Sequence, residues 1–372
     1  RIFGANAWKV VENFLGPVKF HLIPDFLPEE EVLEGALLAS YRYELKTEKE
    51  ERPWIVFHGK EETIKKVLPL VRGVYIARDI TNAPANEIYP ESLAEVARET
   101  LEGVGVEVEV YPSKWLQENG FGGIMAVGKG SANKPRLIVM KYFKGKNKPI
   151  LIVGKGVCFD AGGIHLKPAG YIEEMKMDIA GGAAVIGIMY AIATMNLRVN
   201  VVGIVPAVEN VPSAEATKPG DVIKMYNGKT VEVVNTDAEG RLIVADAISY
   251  GIKRFKPEYV IDLATLTGAC IVALGRRVAG LMGNDNKLLQ ELKEAGEKVQ
   301  EEVWELPLFD HYAEDLKSEI ADLKNVGEKG YAGAIIGGKF LENFVEGVKS
   351  VSYTHLRAHE TSLHLVCRLL LE

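Results

Sequence analysis

Apolar positions along this chain recur with two periods. Between Glu61 and Asp79, Ile64, Val67, Leu68, Val71 and Val74 return at helical spacing, which predicts one long helix. Pro90-Glu91-Ser92 opens a second helix that runs to about Gly103, and Val106 to Tyr111 alternates as a strand. Pro149 to Val153, Val199 to Ala207 and Tyr259 to Ala264 are short, nearly continuous apolar runs, the pattern of strands covered on both faces. Ile179 to Met195 is a helix rich in small residues, with Gly181-Gly182 allowing close packing at its start, and Leu242 to Ile252 reads as an amphipathic helix. Asn227-Gly228 sits between two apolar-rich segments from Ile223 to Val234, a strong hairpin signal. Strands alternating with helices predict an α/β fold: a mainly parallel mixed sheet flanked by helices, with some antiparallel additions.

The same pattern divides the chain. Residues 1–62 mix apolar runs such as Trp54-Ile55-Val56-Phe57 with the charge run from Lys46 to Arg52, a solvated turn. They are expected to be what is left of a smaller, truncated α/β domain, and the start at Arg1 rather than Met fits an N-terminally cut fragment. Residues 63–80 form a connecting helix. Residues 81–349 form the main domain, entered through the Pro- and Asn-marked turn from Arg78 to Asn86, and 350–372 form a tail of different character.

Two stretches carry candidate chemistry. In Asn235-Thr236-Asp237-Ala238-Glu239-Gly240-Arg241, two carboxylates and a guanidinium follow Val231-Glu232-Val233-Val234 at alternate positions. They are therefore expected on one side of an extended segment. A strand that ends in acidic groups and turns at Gly240 into a helix places them at the carboxyl edge of a parallel sheet, where open α/β proteins have their sites. Alone, an Asp-Ala-Glu before a helix is better read as a cap. The second stretch outweighs that reading: Val153 to Gly163 with Lys155 and Asp160, then Lys167-Pro168, then Met175 to Ala184 with Asp178. Asp160, Asp178, Asp237 and Glu239 bring four carboxylates from three segments, too many to bury without cations. Two divalent ions resolve the charge, and oxygen-rich ligands suit zinc, manganese, cobalt or magnesium. Cys158, between Val157 and Phe159, reads as a small core residue rather than a nucleophile.

These two motifs, in this order, resemble the signatures of the leucyl aminopeptidase family, the two-metal cytosolic aminopeptidases. The resemblance runs from about Arg78 to about Val345, and Ala264 to Ala269, Trp304 to Pro307 and Ala321 to Asn325 are similar to further family segments. It implies release of leucine or another neutral N-terminal residue from peptide substrates by a cytoplasmic homo-hexamer of two trimers. Two metal ions, zinc or manganese ahead of others, would share a water, lower its pKa and polarise the scissile carbonyl. The substrate's free α-amine would ligate one metal, which explains why an amino-terminal residue is required. Asp160 and Glu239 would bridge the metals, Lys155 and Asp178 complete the tighter site, and Asp237 complete the more exchangeable one. A lysine ligand must be neutral, which costs energy for an amine of pKa about 10.4 but follows where dications disfavour the ammonium. Lys167 would help stabilise the oxyanion, Arg241 would hold a bicarbonate as proton shuttle, and Met175, Thr265, Leu266 and Gly268 would bind substrate. The plain alternative for Lys167 and Arg241 is a solvated cation. After about Lys349 the resemblance breaks, and Arg357 stands where the family has an aspartate.

Composition narrows the alternatives. The 372 residues carry 51 acidic and 44 basic side chains, a formal charge of -7, which disfavours nucleic acid as a partner. Three cysteines without a CxxC pairing fit a reduced compartment, the cytoplasm. No uninterrupted apolar run of about 18 residues and no basic-then-apolar N-terminus points to a membrane span or signal peptide. Gly123 to Gly130 almost spells a phosphate-binding loop, but Gly130 replaces its hydroxyl residue and Pro135 with Leu137 to Met140 signals a strand where that loop needs a helix. His359-Glu360 with His364 fails as a zinc-protease motif, because histidines five apart lie about 140° from a shared helix face. Two readings from other classes stay open: a regulatory or DNA-binding relative without catalysis, and a two-metal phosphoesterase.

Overall fold

The computed structural model describes residues 1–12, 19–24, 26–48, 51 and 53–354. Its N-terminal part comprises α1 (Ile2–Val11), β1 (Lys19–Leu22), α2 (Glu29–Ser40) and β2 (Trp54–Phe57), with β1 and β2 paired in parallel. Leu22, Val32, Leu33 and Ala36 form a small core there, closed by Val67 and Val71 of α3 (Glu61–Asn82). Further along α3, Val74, Ala77 and Ile80 enter the main core. The helical spacing of these residues thus serves two cores from one element.

The main domain continues with α4 (Pro90–Leu101), β3 (Glu107–Pro112), α5 (Ser113–Glu118), α6 (Gly122–Gly128), β4 (Arg136–Phe143), β5 (Ile150–Gly154) and β6 (Gly156–Asp160). A 3-10 run (Ile172–Ile179) leads into α7 (Ala180–Thr194), then β7 (Asn200–Asn210), the hairpin β8 (Val222–Lys224) and β9 (Thr230–Glu232), α8 (Gly240–Phe255) and β10 (Tyr259–Ala264). The chain goes on through α9 (Ala269–Leu274), β11 (Ala279–Gly283), α10 (Asn286–Val299), β12 (Val303–Glu305), β13 (Leu323–Lys324), α11 (Gly333–Glu342) and β14 (Lys349–Thr354).

The large sheet has the order β12-β11-β14-β10-β5-β7-β4-β3, and β6 carries the line of β5 onward along β7. Its centre is parallel, while β4 pairs antiparallel with β7 and β3, and β11 with β14. Apolar side chains from α3, α4, α7 and α10 cover one face, and those from α6, α8 and α11 the other. That double cover explains why β5, β7 and β10 read as continuous apolar runs.

The structure departs from the expected pattern at α8 and at the start of the tail. Leu242 to Ile252 is not amphipathic in its surroundings: every residue from Gly240 to Ile252 is buried, because α8 packs between β5 and β7 on one side and α6 and α11 on the other. The expected division at residue 350 falls inside β14, which pairs with β10 from Tyr259↔Lys349 to Ala264↔Thr354 and buries Val351 and Tyr353. The rest of the tail, with His355, Arg357, His359 and His364, lies outside the described residues. Ile172–Thr194 is long and apolar enough to cross a membrane by length and composition. Here it is core, packed against the sheet and α3.

Candidate metal centre

The candidate residues come from three connections. Lys155 sits in the break between β5 and β6, both of which pair with β7, and the register against β7 shifts only further on, between Val157 and Phe159. Its N–H donates to the Leu263 carbonyl of β10 at 2.9 Å, and its carbonyl accepts the Gly182 N–H at 2.7 Å. This clamp demands glycine: a Cβ at Gly181 would lie 2.1 Å from the Leu263 carbonyl oxygen, and one at Gly154 2.4 Å from that of Gly181. Asp160 ends β6, and Gly162 and Gly163 then turn with φ of 89° and 65°, a region open to glycine, sending the chain back toward Lys167. Asp178 is the last residue but one of the 3-10 run before α7.

Asp237 and Glu239 do not stand on an extended segment at the edge of the large sheet. β9 belongs to a separate small sheet with β8 and β13, and residues 235–238 form a turn in which the Ala238 N–H donates to the Asn235 carbonyl at 3.2 Å. The Asn235 side chain accepts the Asp237 N–H at 2.9 Å, tightening that turn. Alternation would have put the two carboxylates in register. The turn brings them together instead, with Glu239 already helical as the residue before α8.

One ligand oxygen from each of Asp160, Asp237 and Glu239 lies within 4.8 Å of the others. The Lys155 amine is 2.8 Å from Asp178 Oδ2 and 2.7 Å from Glu239 Oε1, and it donates to the Thr265 carbonyl at 2.9 Å. Lys167 lies 2.8 Å from Asp160 Oδ2 and 2.5 Å from Asp237 Oδ1. Thr265 donates its hydroxyl to Asp178 Oδ1 at 2.6 Å, and Asp160 Oδ1 accepts from the Gly162 N–H and the Asn210 amide. A Cβ at Gly240 would sit 2.6 Å from Lys155 Cε, so the glycine after Glu239 makes room for the lysine.

The set is buried, with Asp160, Asp178, Glu239 and Lys155 at 2–3% exposure. Burial raises the Asp178, Asp160 and Asp237 carboxyls above their ordinary values, and neighbouring carboxylates push the same way. Burial alone would lower the Lys155 amine, but Asp178, Glu239 and Asp160 outweigh it and hold the ammonium form. Four carboxylates against two ammonium groups leave two negative charges unmatched in a low-dielectric site. Asp178 Oδ2, Asp237 Oδ1 and Glu239 Oε1 are buried, and among the described residues each has a lysine nitrogen as its close polar contact. A carboxylate oxygen has more than one lone pair, so the contact with a lysine leaves each of them able to ligate, and this donor set fits divalent cations.

Arg241 is buried at the start of α8, and its Nη1 donates to the Asn325 carbonyl at 2.8 Å while its Nε has no partner among the described residues. Burial pushes its pKa down to about 10. Leu266 is buried beside Thr265, with its side chain where a Cβ at Gly337 would meet it. Met175, three residues before Asp178, and Gly268, three after Thr265, are outside the polar network. Reading the motifs missed the residues that tie the segments together. Thr236 donates its hydroxyl to the Gly162 carbonyl and accepts the His165 N–H, and the Asn210 amide donates to the Thr236 carbonyl at 3.0 Å. Only Thr236, inside the first motif, carried a sequence signal.

An α/β sheet with lysines and carboxylates gathered at its central connections defines the class, a metal-binding hydrolase scaffold. The catalytic-domain model of the cytosol aminopeptidase family matches residues 75–364, and the chain belongs to that family. It is 47% identical over 329 residues to a probable cytosol aminopeptidase of Cenarchaeum symbiosum, covering 86% of this chain and 67% of the relative. A probable cytosol aminopeptidase of Syntrophotalea carbinolica is 48% identical over 330 residues, with 84% and 66% covered. The chain thus spans about two thirds of the length of these relatives. The crystal structure of the cytosol aminopeptidase from Coxiella burnetii superposes with a TM-score of 0.90 at 34% identity, over 99% of this chain and 82% of that one. The bottromycin maturation enzyme BotP in complex with Mn gives 0.89 at 31%, over 99% and 86%.

Proposed function

We propose that this chain is a metal-dependent aminopeptidase that removes leucine or another neutral residue from the N-terminus of peptides. The observation that carries the reading is the convergence of Asp160, Asp237 and Glu239 oxygens within 4.8 Å, flanked by two lysines. Asp160 and Glu239 would bridge two ions, Lys155 and Asp178 hold one and Asp237 the other; manganese, named with the BotP structure, and zinc suit these donors. Bound there, the two ions would supply Lewis-acid polarisation of the scissile carbonyl and an activated water. Lys155 would enter as a neutral amine, its proton displaced by the positive charge beside it. Lys167, mostly buried but still reached by solvent among the carboxylates, would donate to the oxygen that gains charge. Arg241, a buried guanidinium whose Nε lacks a partner among the described residues, would hold a bicarbonate that moves the proton. Thr265, Leu266, Gly268 and Met175 would line the substrate side. Family resemblance further supports a cytoplasmic homo-hexamer without membrane or nucleic-acid partners.

The test is Glu239→Gln, which keeps shape and removes charge. Metal content by elemental analysis and turnover of a leucyl anilide are both expected to fall sharply. A phosphate ester assayed beside the anilide should stay uncleaved. Two ions per chain with near-normal turnover in the variant would sink the assignment.

A further inference from the structure

Asn325 follows β13 and is fully buried. Its side chain lies inside the loop that carries Asp237 and Glu239, some ninety residues away in sequence. Oδ1 accepts the N–H of Val234 at 2.9 Å and of Asn235 at 3.2 Å, and Nδ2 donates to the carbonyls of Asn235 at 2.6 Å and Ala238 at 3.3 Å. A primary amide offers two donors and two acceptor lone pairs, so every one is spent on this loop. The Asn325 backbone extends the clasp: its N–H donates to the Glu232 carbonyl at 3.0 Å, and its carbonyl accepts from Arg241. The loop's own bonds, Ala238 N–H to Asn235 carbonyl and Asp237 N–H to the Asn235 side chain, close the turn. They leave its angle to the strand before it and the helix after it unset.

We propose that Asn325 is a positioning residue that sets the spacing of the Asp237 and Glu239 carboxylates for the ions, and the place of Arg241 beside them. The inference rests on reading those carboxylates as metal ligands. Asp160, Asp237 and Glu239 carry like charges within 4.8 Å, offset only in part by Lys155 and Lys167, and the remaining repulsion works against a loop not fastened on both sides. Asn325 grips the chain before Asp237, at 234–235, and after it, at 238. The β9–β13 pairing is only two residues long and cannot supply that grip. A hydrophobic side chain of equal size would leave two N–H groups and the Ala238 carbonyl without these buried partners.

The experiment titrates manganese into the full chain, stripped by chelation, for wild type, Asn325→Ala, Asn325→Asp, Asp322→Ala and Glu239→Gln. Thermal unfolding, circular dichroism and leucyl-anilide kinetics run in parallel. Asn325→Ala is expected to weaken manganese binding by about 10- to 100-fold, the range for removing a group that orients a ligand, and to lower kcat more than it changes KM. Asn325→Asp keeps size and the acceptor side but turns an oxygen toward two carbonyls, so it is expected to weaken binding at least as much; it carries the test if Asn325→Ala does not fold. Asp322→Ala removes bonds of 2.8 Å to the Thr230 N–H and hydroxyl in the same small sheet. It should lower Tm with affinity unchanged. Wild-type affinity in folded Asn325 variants, with only Tm reduced, would overturn the positioning role. If Glu239→Gln also binds manganese like wild type, the metal reading fails instead; if it alone loses the ion, only the positioning role fails.

Discussion

Lys155, Lys167 and Arg241 are three cations in one centre, and their surroundings separate their work. Lys155 is enclosed by Asp178, Glu239 and the Thr265 carbonyl. Lys167 keeps 15% of its side chain exposed between Asp160 and Asp237, so it can swing toward a substrate oxygen. Charge that acts only in the transition state raises the rate without holding the ions. Lys167→Ala is therefore expected to lower kcat by about 10²–10³ with metal content retained, checked by turnover and elemental analysis on the same sample. Arg241 touches no carboxylate within bonding distance in the described residues and has an unpartnered Nε. Arg241→Ala should abolish any stimulation of turnover by added bicarbonate, whereas Arg241→Lys should keep part of it, since lysine supplies charge without the planar fork. Equal stimulation in wild type and Arg241→Ala would eliminate the anion-holding role.

At the scale of elements, the metal centre depends on how closely α7 approaches β5 and β10. Gly154, Gly181 and Gly182 let the helix start rest on the strands, and the same contact fixes the Lys155 peptide between Leu263 and Gly182. In Gly181→Ala the new methyl meets backbone, which cannot rotate away. We expect a loss of about 1–3 kcal/mol or more from overpacking, visible as a lower denaturant midpoint. Metal affinity should fall with it, because Lys155 and Asp178 move with the helix start. An unchanged midpoint would show that α7 can lift without cost. On the opposite face, Asp246 inside α8 accepts the N–H of Ile124 at 3.0 Å and of Tyr226 at 2.8 Å. It ties α6 and the β8–β9 hairpin to the helix that begins at Glu239.

For the whole molecule, two buried carboxyls away from the metal centre make stability depend on pH. Burial pushes Asp262 of β10 and Asp246 up to about 7, each against the hydrogen bonds it accepts. A carboxyl whose pKa is raised on folding binds more protons folded than unfolded between about 4 and 7, so stability falls as pH rises through that window. Its contribution is fully present below the unfolded value and lost above the folded one. A shift of this size corresponds to at most about 4 kcal/mol per group. Asp262 accepts one bond, from the Ser352 hydroxyl at 2.8 Å, which asparagine can also accept. Asp262→Asn is thus expected to flatten the stability curve between pH 4 and 7 relative to wild type, measured by denaturant melts at half-unit steps. Parallel curves for the two proteins would mean that Asp262 stays charged in the fold.

The local rules of the chain were enough for much of this protein. Helical spacing located α3, a Pro-Glu-Ser start located α4, and nearly unbroken apolar runs located α7, β5, β7 and β10, which are covered on both sides; Asn227-Gly228 located the hairpin through the φ of 94° that Gly228 adopts. Two long motifs were enough to nominate Lys155, Asp160, Lys167, Asp178, Asp237, Glu239 and Arg241, since so many buried charges have few uses. Tertiary structure alone decided how they meet. Alternation placed Asp237 and Glu239 on one extended face of the large sheet, but a turn of residues 235–238 beside a separate small sheet brings them together. That turn is held from Asn325, His165 and Asn210, residues distant in sequence; Asn325 lies in a segment similar to the family, but no local pattern shows what any of the three holds. The amphipathic reading of α8 failed for the same reason: which sides of a helix are covered depends on neighbours that arrive from elsewhere in the chain, here α6, α11 and the sheet.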